Sequence, residues 1–455
     1  MRTTSSSRGT RAAIAAAAGL AICAALVTGC SSSSSDKSTS DNASSGASSS
    51  SGGDSGEKIT LRIGTFGQFG YDEAGLYKQY EAEHPNIKIV PENVTDSGKY
   101  WDALKLHLAS GSGVDDIQAI EVGNIAEATS KLYDKFVDLS KAPGVQASNW
   151  VSYKWAQATT TGGQTIGLGT DVGPMAICYR TDLFKAAGLP TDRDEVGKLW
   201  AGGWDDYLKV GEKFQKNAPA GSHFVDSAGG IFNAVVSSQP EQYSNAQGEL
   251  VYDKSAGVKL AWDTAVKAIQ DGLSTGYQQF DDGGNWAGGF KTGKFATVSC
   301  PSWMTGTIQT NAGDTGKGKW DIAAAPVAAN WGGSFLGVPK GGKHEEEAIK
   351  LAVWLTSATQ QEKIFTQFGN IPSTVAGLDS PAVQDAKLAY FNDAPTGKIY
   401  GQIAKDTVPA PIGPWDGQVK DIITKNGLLD IEQHHVDPKK SWDNVLKLVK
   451  DKTDN

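Results

Sequence analysis

The segment KITLRIGTFGQFGYDEAGLYKQYEAEHPNIKIVPENVTDSGKYWDALKLHLASGSGVDDIQAIEV, residues 58–122, carries the reading of the fold. Lys58–Thr65 alternates apolar residues at Ile59, Leu61 and Ile63, the period of a strand with one face buried. Glu73–His84 reads as a helix, stopped by Pro85. Ile87–Val90 is a second short apolar strand. Lys99–Ser110 places Tyr100, Leu104 and Leu108 on one helical face and ends at Gly111, a residue suited to a left-handed C-terminal cap. Asp116–Val122 is a third strand. Strands separated by helices predict a parallel, doubly wound α/β sheet. In such sheets ligands sit beyond the carboxyl ends of the strands. Here those ends are Phe66–Tyr71, Glu121–Asn124 and Gly169–Gly173.

Beyond this segment the alternation resumes. Met175–Arg180 reads as a strand running into a helix over Thr181–Ala187. Trp204–Lys216 and Val258–Gln270 are amphipathic helices, Phe295–Cys300 and Ile322–Val327 are strands, and Glu345–Phe368 reads as one long helix. The C-terminal region is mainly helical. The 399 residues from Glu57 to Asn455 are too many for one ordinary core and suit two lobes.

The N-terminus carries a different kind of information. Arg2, Arg8 and Arg11 precede an apolar run from Ala12 to Val27, which is short of the roughly 20 residues of a membrane span. Leu26-Val27-Thr28-Gly29-Cys30 resembles the bacterial lipobox, in which cleavage falls before a lipidated cysteine. The signal peptide is then 1–29, and Cys30 is the lipidation site. Serine fills 14 of the 26 positions from Ser31 to Gly56, so 30–56 is read as a lipidated cysteine on a flexible tether. Its mean span is on the order of 30 Å, and about 85 Å at full stretch. The expected location is the outer face of the cell membrane.

Removing the signal takes three arginines and no acid, so the net charge falls from −9 to about −12. An acidic chain without a basic run is a poor nucleic-acid binder. Cys23 leaves with the signal, so Cys178 and Cys300 are the cysteines left in the body. They either pair in an oxidising compartment or stay as two buried thiols. The six histidines are scattered, and no metal or other cofactor is expected. Gly288–Lys294 has P-loop spacing but is followed by Phe295, not Ser or Thr, and precedes a strand. Gly272-Leu-Ser-Thr-Gly276 matches the spacing of a nucleophile elbow, yet it follows a helix and reads as a helix stop.

Three later segments carry a resemblance: Met175-Ala-Ile-Cys-Tyr-Arg-Thr-Asp-Leu-Phe-Lys-Ala-Ala-Gly-Leu-Pro190, Phe290-Lys-Thr-Gly-Lys-Phe-Ala-Thr-Val-Ser-Cys-Pro-Ser-Trp303, and Gly337-Val-Pro-Lys-Gly-Gly-Lys-His344 with Ile371-Pro-Ser-Thr374. In order and spacing the chain resembles the extracellular sugar-binding proteins (family 1) of ABC importers. The resemblance implies a two-lobed periplasmic-binding-protein-like fold with hinge crossings. Lobe one would be 57–168 and 327–370, and lobe two 169–326 and 371–455. It implies a monomeric binding protein without catalysis, which hands an oligosaccharide to membrane permease subunits. Thr65–Tyr71, Asp115–Asn124 and Gly167–Pro174 look similar to cello-oligosaccharide-binding lipoproteins, which implies cellobiose or cellotriose as ligand. The alternative is an exported glycoside hydrolase, which needs two carboxylates facing each other across a cleft.

A sugar presents hydroxyls at its rim and C–H groups on its faces, so its site needs flat rings and convergent polar groups. Trp303 and Trp415 stand where the family places stacking aromatics; the other reading of each is a core residue. Phe69 and Tyr71 lie on the first strand-end loop, where Tyr71 serves equally well to pack that loop. Trp331 and Trp286 are further aromatic candidates. Gln68, Glu121, Asn124 and Asp171 are the candidate hydrogen-bonding residues, each with the alternative of capping its loop. Phe232 and Asn233 are candidates from the second lobe.

Overall fold

The computed structural model describes residues 57–407 and 410–454. The signal sequence 1–29, Cys30 and the serine tether to Gly56 lie outside the described residues.

Eleven strands are present among the described residues: β1 Ile59–Phe66, β2 Ile87–Val94, β3 Ile117–Glu121, β4 Leu168–Gly169, β5 Asp171–Val172, β6 Met175–Arg180, β7 His223–Val225, β8 Phe295–Pro301, β9 Trp320–Ala323, β10 Ser334–Gly337 and β11 Ile371–Pro372. The first sheet has the order β2-β1-β3-β10-β4. β1 runs parallel to β2 and β3, whereas β10 runs antiparallel to β3 and β4. The second sheet has the order β7-β8-β6-β9. There β6 is antiparallel to β8 and β9, and only β7 and β8 are parallel. Both sheets are therefore mixed. The parallel, doubly wound reading holds for β1–β3 and stops where the returning chain adds β10 from the opposite direction.

Local chemistry explains the helix bounds. Asp96 caps the helix Ser97–Ser110 by accepting from Lys99 N at 2.9 Å, and Gly111 ends it in the left-handed conformation. The first helix starts at Leu76, later than its periodicity suggests, because residues 71–75 form a turn. The single helix expected over 345–368 is two, Glu345–Leu355 and Ala358–Phe368. At the break the Thr356 and Ser357 hydroxyls donate to the carbonyls of Ala352 and Trp354, both at 2.8 Å. Such local side-chain bonds compete with the helical ladder. The strand expected over 322–327 ends at Ala323.

Each sheet has its own core. Leu61, Ile63, Ile117, Leu168, Leu336, Leu351 and Leu355 pack around the first. β6 is buried on both faces. Its residues Met175, Ile177 and Tyr179 join one core with Phe184, Phe224 and the C-terminal Ile423 and Val445, while Ala176 and Cys178 join another with Phe295, Trp320 and Tyr400. Cys178 is disulfide-bonded to Cys300 on the neighbouring strand β8.

The chain passes between the sheets three times. β5 follows β4 and leads into β6; residues 324–333 lead back to β10; β11 precedes the C-terminal helices. The three passages are bonded side by side. β5 pairs with β11, and Trp331 N donates to Gly173 O at 2.7 Å. A Cβ at Gly173 would lie 2.1 Å from Trp331 O, so that close approach requires glycine.

Candidate functional site

The carboxyl ends of β1 and β3 and the passages between the sheets open onto one cleft, whose far wall comes from the second sheet and its helices. It holds about 1340 Å³ of empty space, its mouth included.

From the first sheet the cleft takes Phe66 at the end of β1, Gln68, Phe69 and Tyr71 after it, Asp96 and Ser97 at the helix start, and Glu121 at the end of β3. Phe69 meets Phe66 edge-on at 5.3 Å and Tyr71 at 5.6 Å. Tyr71 is 4% exposed and shares the first core, so it packs its loop as well as edging the cleft. Gln68 Nε2 donates to Thr310 Oγ1 of the opposite wall at 2.8 Å. Asp171, on β5, accepts from Ser334 N at 2.9 Å and from Thr170 Oγ1 at 2.7 Å.

From the second sheet come Trp303, just past β8, and Phe280, with Trp331 and the Gly332–Gly333 pair from the returning passage. Trp303 Nε1 donates to Trp331 O at 3.1 Å, and the two rings meet edge-on at 5.9 Å. Phe280 lies 6.2 Å from Trp303. The fixed indole and its neighbours form an angled aromatic surface.

One side of the cleft is an ion-pair seam between the lobes. Glu121 pairs with Lys420 at 2.9 Å, and Asp96 pairs with Lys425 at 2.7 Å. Lys425 also contacts Asp421 at 3.1 Å. Burial opposes the charge on Lys420 and Lys425, but the surrounding carboxylates outweigh it, and both ammonium groups are held above their usual range. Burial likewise opposes charge on Asp96, yet bonds from Lys425 and the Lys99 N–H bring its carboxyl below the usual range. Lys99 and Asp282 add another ion pair across the cleft.

Gln68, Phe69, Tyr71, Glu121, Asp171 and Trp303 are thus brought together. Asn124 and Trp415 are not among the residues lining this cleft. Asn124 is buried on the helix Val122–Lys131 and faces an adjoining cavity beyond the seam. Trp415 lies 3.2 Å from Lys131 Nζ, measured to its ring centre, because the seam packs the segment before the helix Asp416–Asp421 onto the first lobe. Trp286 and Phe232 are core residues, while Asn233, one position from Phe232, lines the cleft. Sequence reasoning missed Asp96, Ser227, Gln279, Phe280, Lys420 and Lys425. Asp96 was marked by its capping position; the rest stand on loops or helices without a distinguishing pattern. Among the described residues no group of three His, Cys, Asp or Glu is placed to hold a metal ion, and no helix is long and apolar enough to cross a membrane.

A family model described as bacterial extracellular solute-binding protein matches residues 75–391. A crystal structure of an extracellular solute-binding protein family 1 member is 40% identical, with a TM-score of 0.71, covering 87% of this chain and 100% of that one. The lactose-binding protein of Rhizobium radiobacter is 25% identical over 68% of this chain and 72% of its own. The arabinooligosaccharide-binding protein of Bacillus subtilis (strain 168) is 24% identical over 83% of this chain and 88% of its own.

Proposed function

The chain belongs to the family of bacterial extracellular solute-binding proteins, and we propose that it is the sugar-binding component of an ABC importer. It captures an oligosaccharide, cellobiose or cellotriose, between lobe one (57–168 and 327–370) and lobe two (169–326 and 371–455), and delivers it unchanged to the permease subunits. The observation that carries this reading is the aromatic surface of Trp303, Phe280 and Trp331 beside a rim of polar side chains that includes Gln68, Asp171 and Asn233. Rings hold the C–H faces of a sugar, and polar groups take its hydroxyls. The names of the two curated relatives, for lactose and for arabinooligosaccharide, support a short saccharide as the solute class. Phe69, Tyr71 and Glu121 complete the proposed site, while Asn124 and Trp415 act at the contact between the lobes and not on the sugar.

In this reading Cys30 carries the lipid, and the serine segment is the leash that keeps a monomeric binding body beside its transporter. Calorimetric titration of Ser31–Asn455 with cellobiose, cellotriose, maltose and xylobiose tests the function. Saturable binding of a β-linked glucose oligomer is the expected result, and no binding to any of the four would sink it. Cys30→Ala should leave that binding intact while lowering uptake by cells.

A further inference from the structure

Asp226 lies in the loop between β7 and the helix Ala228–Ser237 and is 1% exposed. Its Oδ2 accepts two hydrogen bonds, from Trp286 Nε1 at 2.7 Å and from Gln279 Nε2 at 2.8 Å. An ionised carboxylate only accepts, so the Gln279 amide must turn its nitrogen to Asp226. That choice fixes Oε1 at the other end of the amide, on a side chain that lines the cleft. Gly230 makes the arrangement possible, since a Cβ there would lie 2.7 Å from Gln279 Nε2 and 3.1 Å from Asp226 Oδ1. One turn along the same helix stands Asn233, 9% exposed and also lining the cleft. Among the described residues its buried Oδ1 has no hydrogen-bond partner. The second-lobe wall therefore offers one acceptor locked in orientation beside a buried amide whose bonding is incomplete.

We propose that Gln279 is a specificity-determining residue that accepts a hydrogen bond from a ligand hydroxyl, and that Asp226 and Gly230 position it. The carboxylate takes the amide N–H, and the glycine leaves the amide its place. This rests on the sugar-binding reading, because the ligand must present a hydroxyl at that wall. A ligand with an ether or a deoxy carbon there leaves Oε1 unpaired, and the site discriminates against it.

The test is titration of Ser31–Asn455, which contains the whole compact unit Ser55–Asn455, with cellobiose and its monodeoxy analogues. If the unaltered protein binds none of the four sugars named above, the functional reading fails and this inference falls with it. If it binds, Gln279→Met should weaken cellobiose binding about tenfold and abolish discrimination at one hydroxyl only. Asp226→Leu should do the same. Asp226→Asn, which keeps an acceptor oxygen, should stay within about threefold. Gly230→Ala, which displaces the amide without touching the charge, should match Asp226→Leu and stands in for it if that variant does not fold. Cellobiose affinity within twofold of the unaltered protein in Gln279→Met, or an equal loss for every analogue, would overturn the specificity role. Unchanged discrimination in Gly230→Ala would overturn the positioning role.

Discussion

Lys131 Nζ stands 3.2 Å from the centre of the Trp415 ring, joining a first-lobe helix to a second-lobe loop. Nearby, Gln418 Nε2, on the helix Asp416–Asp421 that follows the loop, donates to Glu127 Oε2 of the same first-lobe helix at 2.7 Å. Cation–π contacts contribute about 0.5–1 kcal/mol where exposed and about 2 kcal/mol when desolvated. Trp415 therefore contributes to holding the lobes together in this form, and its ring face is covered by an ammonium group.

This sets Trp415 against Trp303. Trp303→Ala should lower sugar affinity by roughly 1–3 kcal/mol through loss of platform area. Trp415→Ala should lower it by less, about 0.5–1 kcal/mol, through the contact between lobes alone. Titration of both variants with cellobiose checks the order. An equal loss would mean that the Trp415 ring sheds Lys131 and meets the sugar directly.

The ion-pair seam makes a separate prediction. Lys425→Met leaves Asp96, whose side chain is 4% exposed, without its cross-cleft partner. The arrangement with both lobes in contact becomes less favourable by about 1 kcal/mol, so affinity should fall roughly threefold to tenfold. Small-angle scattering should show a larger radius of gyration for the ligand-free variant. An unchanged affinity and radius would mean that the seam does not bias the lobes.

Stability should pass through a minimum near neutral pH. Burial raises the Asp226 and Asp416 carboxyls to about 6 and that of Glu432 to about 7. A raised carboxyl contributes stability that is complete below its unfolded value near 4 and is lost as pH rises through the folded one. Burial lowers Lys154 to about 7, although Asp171 opposes the shift. Between pH 7 and about 10 the unfolded chain binds more protons at this lysine, so its share of stability grows as pH rises. Each of these groups should contribute on the order of 2–5 kcal/mol to its limb. Thermal melts from pH 5 to 10 measure it. Glu432→Gln should reduce the acid limb, with Asp226 and Asp416 supplying the rest, and Lys154→Met should flatten the alkaline one; a profile unmoved by either substitution would reject the assignment.

The Cys178–Cys300 bridge spans a sequence separation of 122 residues. Closing so long a loop restricts the unfolded chain, and the bridge should contribute roughly 2–5 kcal/mol. Denaturant titration of Cys178→Ser/Cys300→Ser against the unaltered protein reads this directly. Coincident curves would show that the second lobe does not depend on the bridge.

The first sheet was legible because Ile59, Leu61 and Ile63 alternate and because Pro85 and Gly111 end helices for steric reasons. The direction of β10 was not, because antiparallel entry depends on where a distant return passage lands. The break between Leu355 and Ala358 was written in Thr356 and Ser357, but the apolar period running through both helices masked it. In the cleft, strand-end logic led to Gln68, Glu121 and Asp171. It could not lead to Lys420 or Lys425, which face the cleft from helical residues more than 290 positions away from their partners. Gln279 carries no local signal either, since its orientation is imposed by a carboxylate 53 residues earlier.

The side-by-side passages at residues 171–174, 330–333 and 371–372 have a mechanical consequence. A single connecting strand would act as a swivel, leaving one body free to twist on the other. Three segments bonded abreast, with Gly173 N donating to Asn330 Oδ1 at 3.0 Å, form a strap that resists torsion and shear. Only bending across its width remains soft. Opening is then a one-dimensional motion like that of a book, and the two halves of the site return to the same register each time they meet.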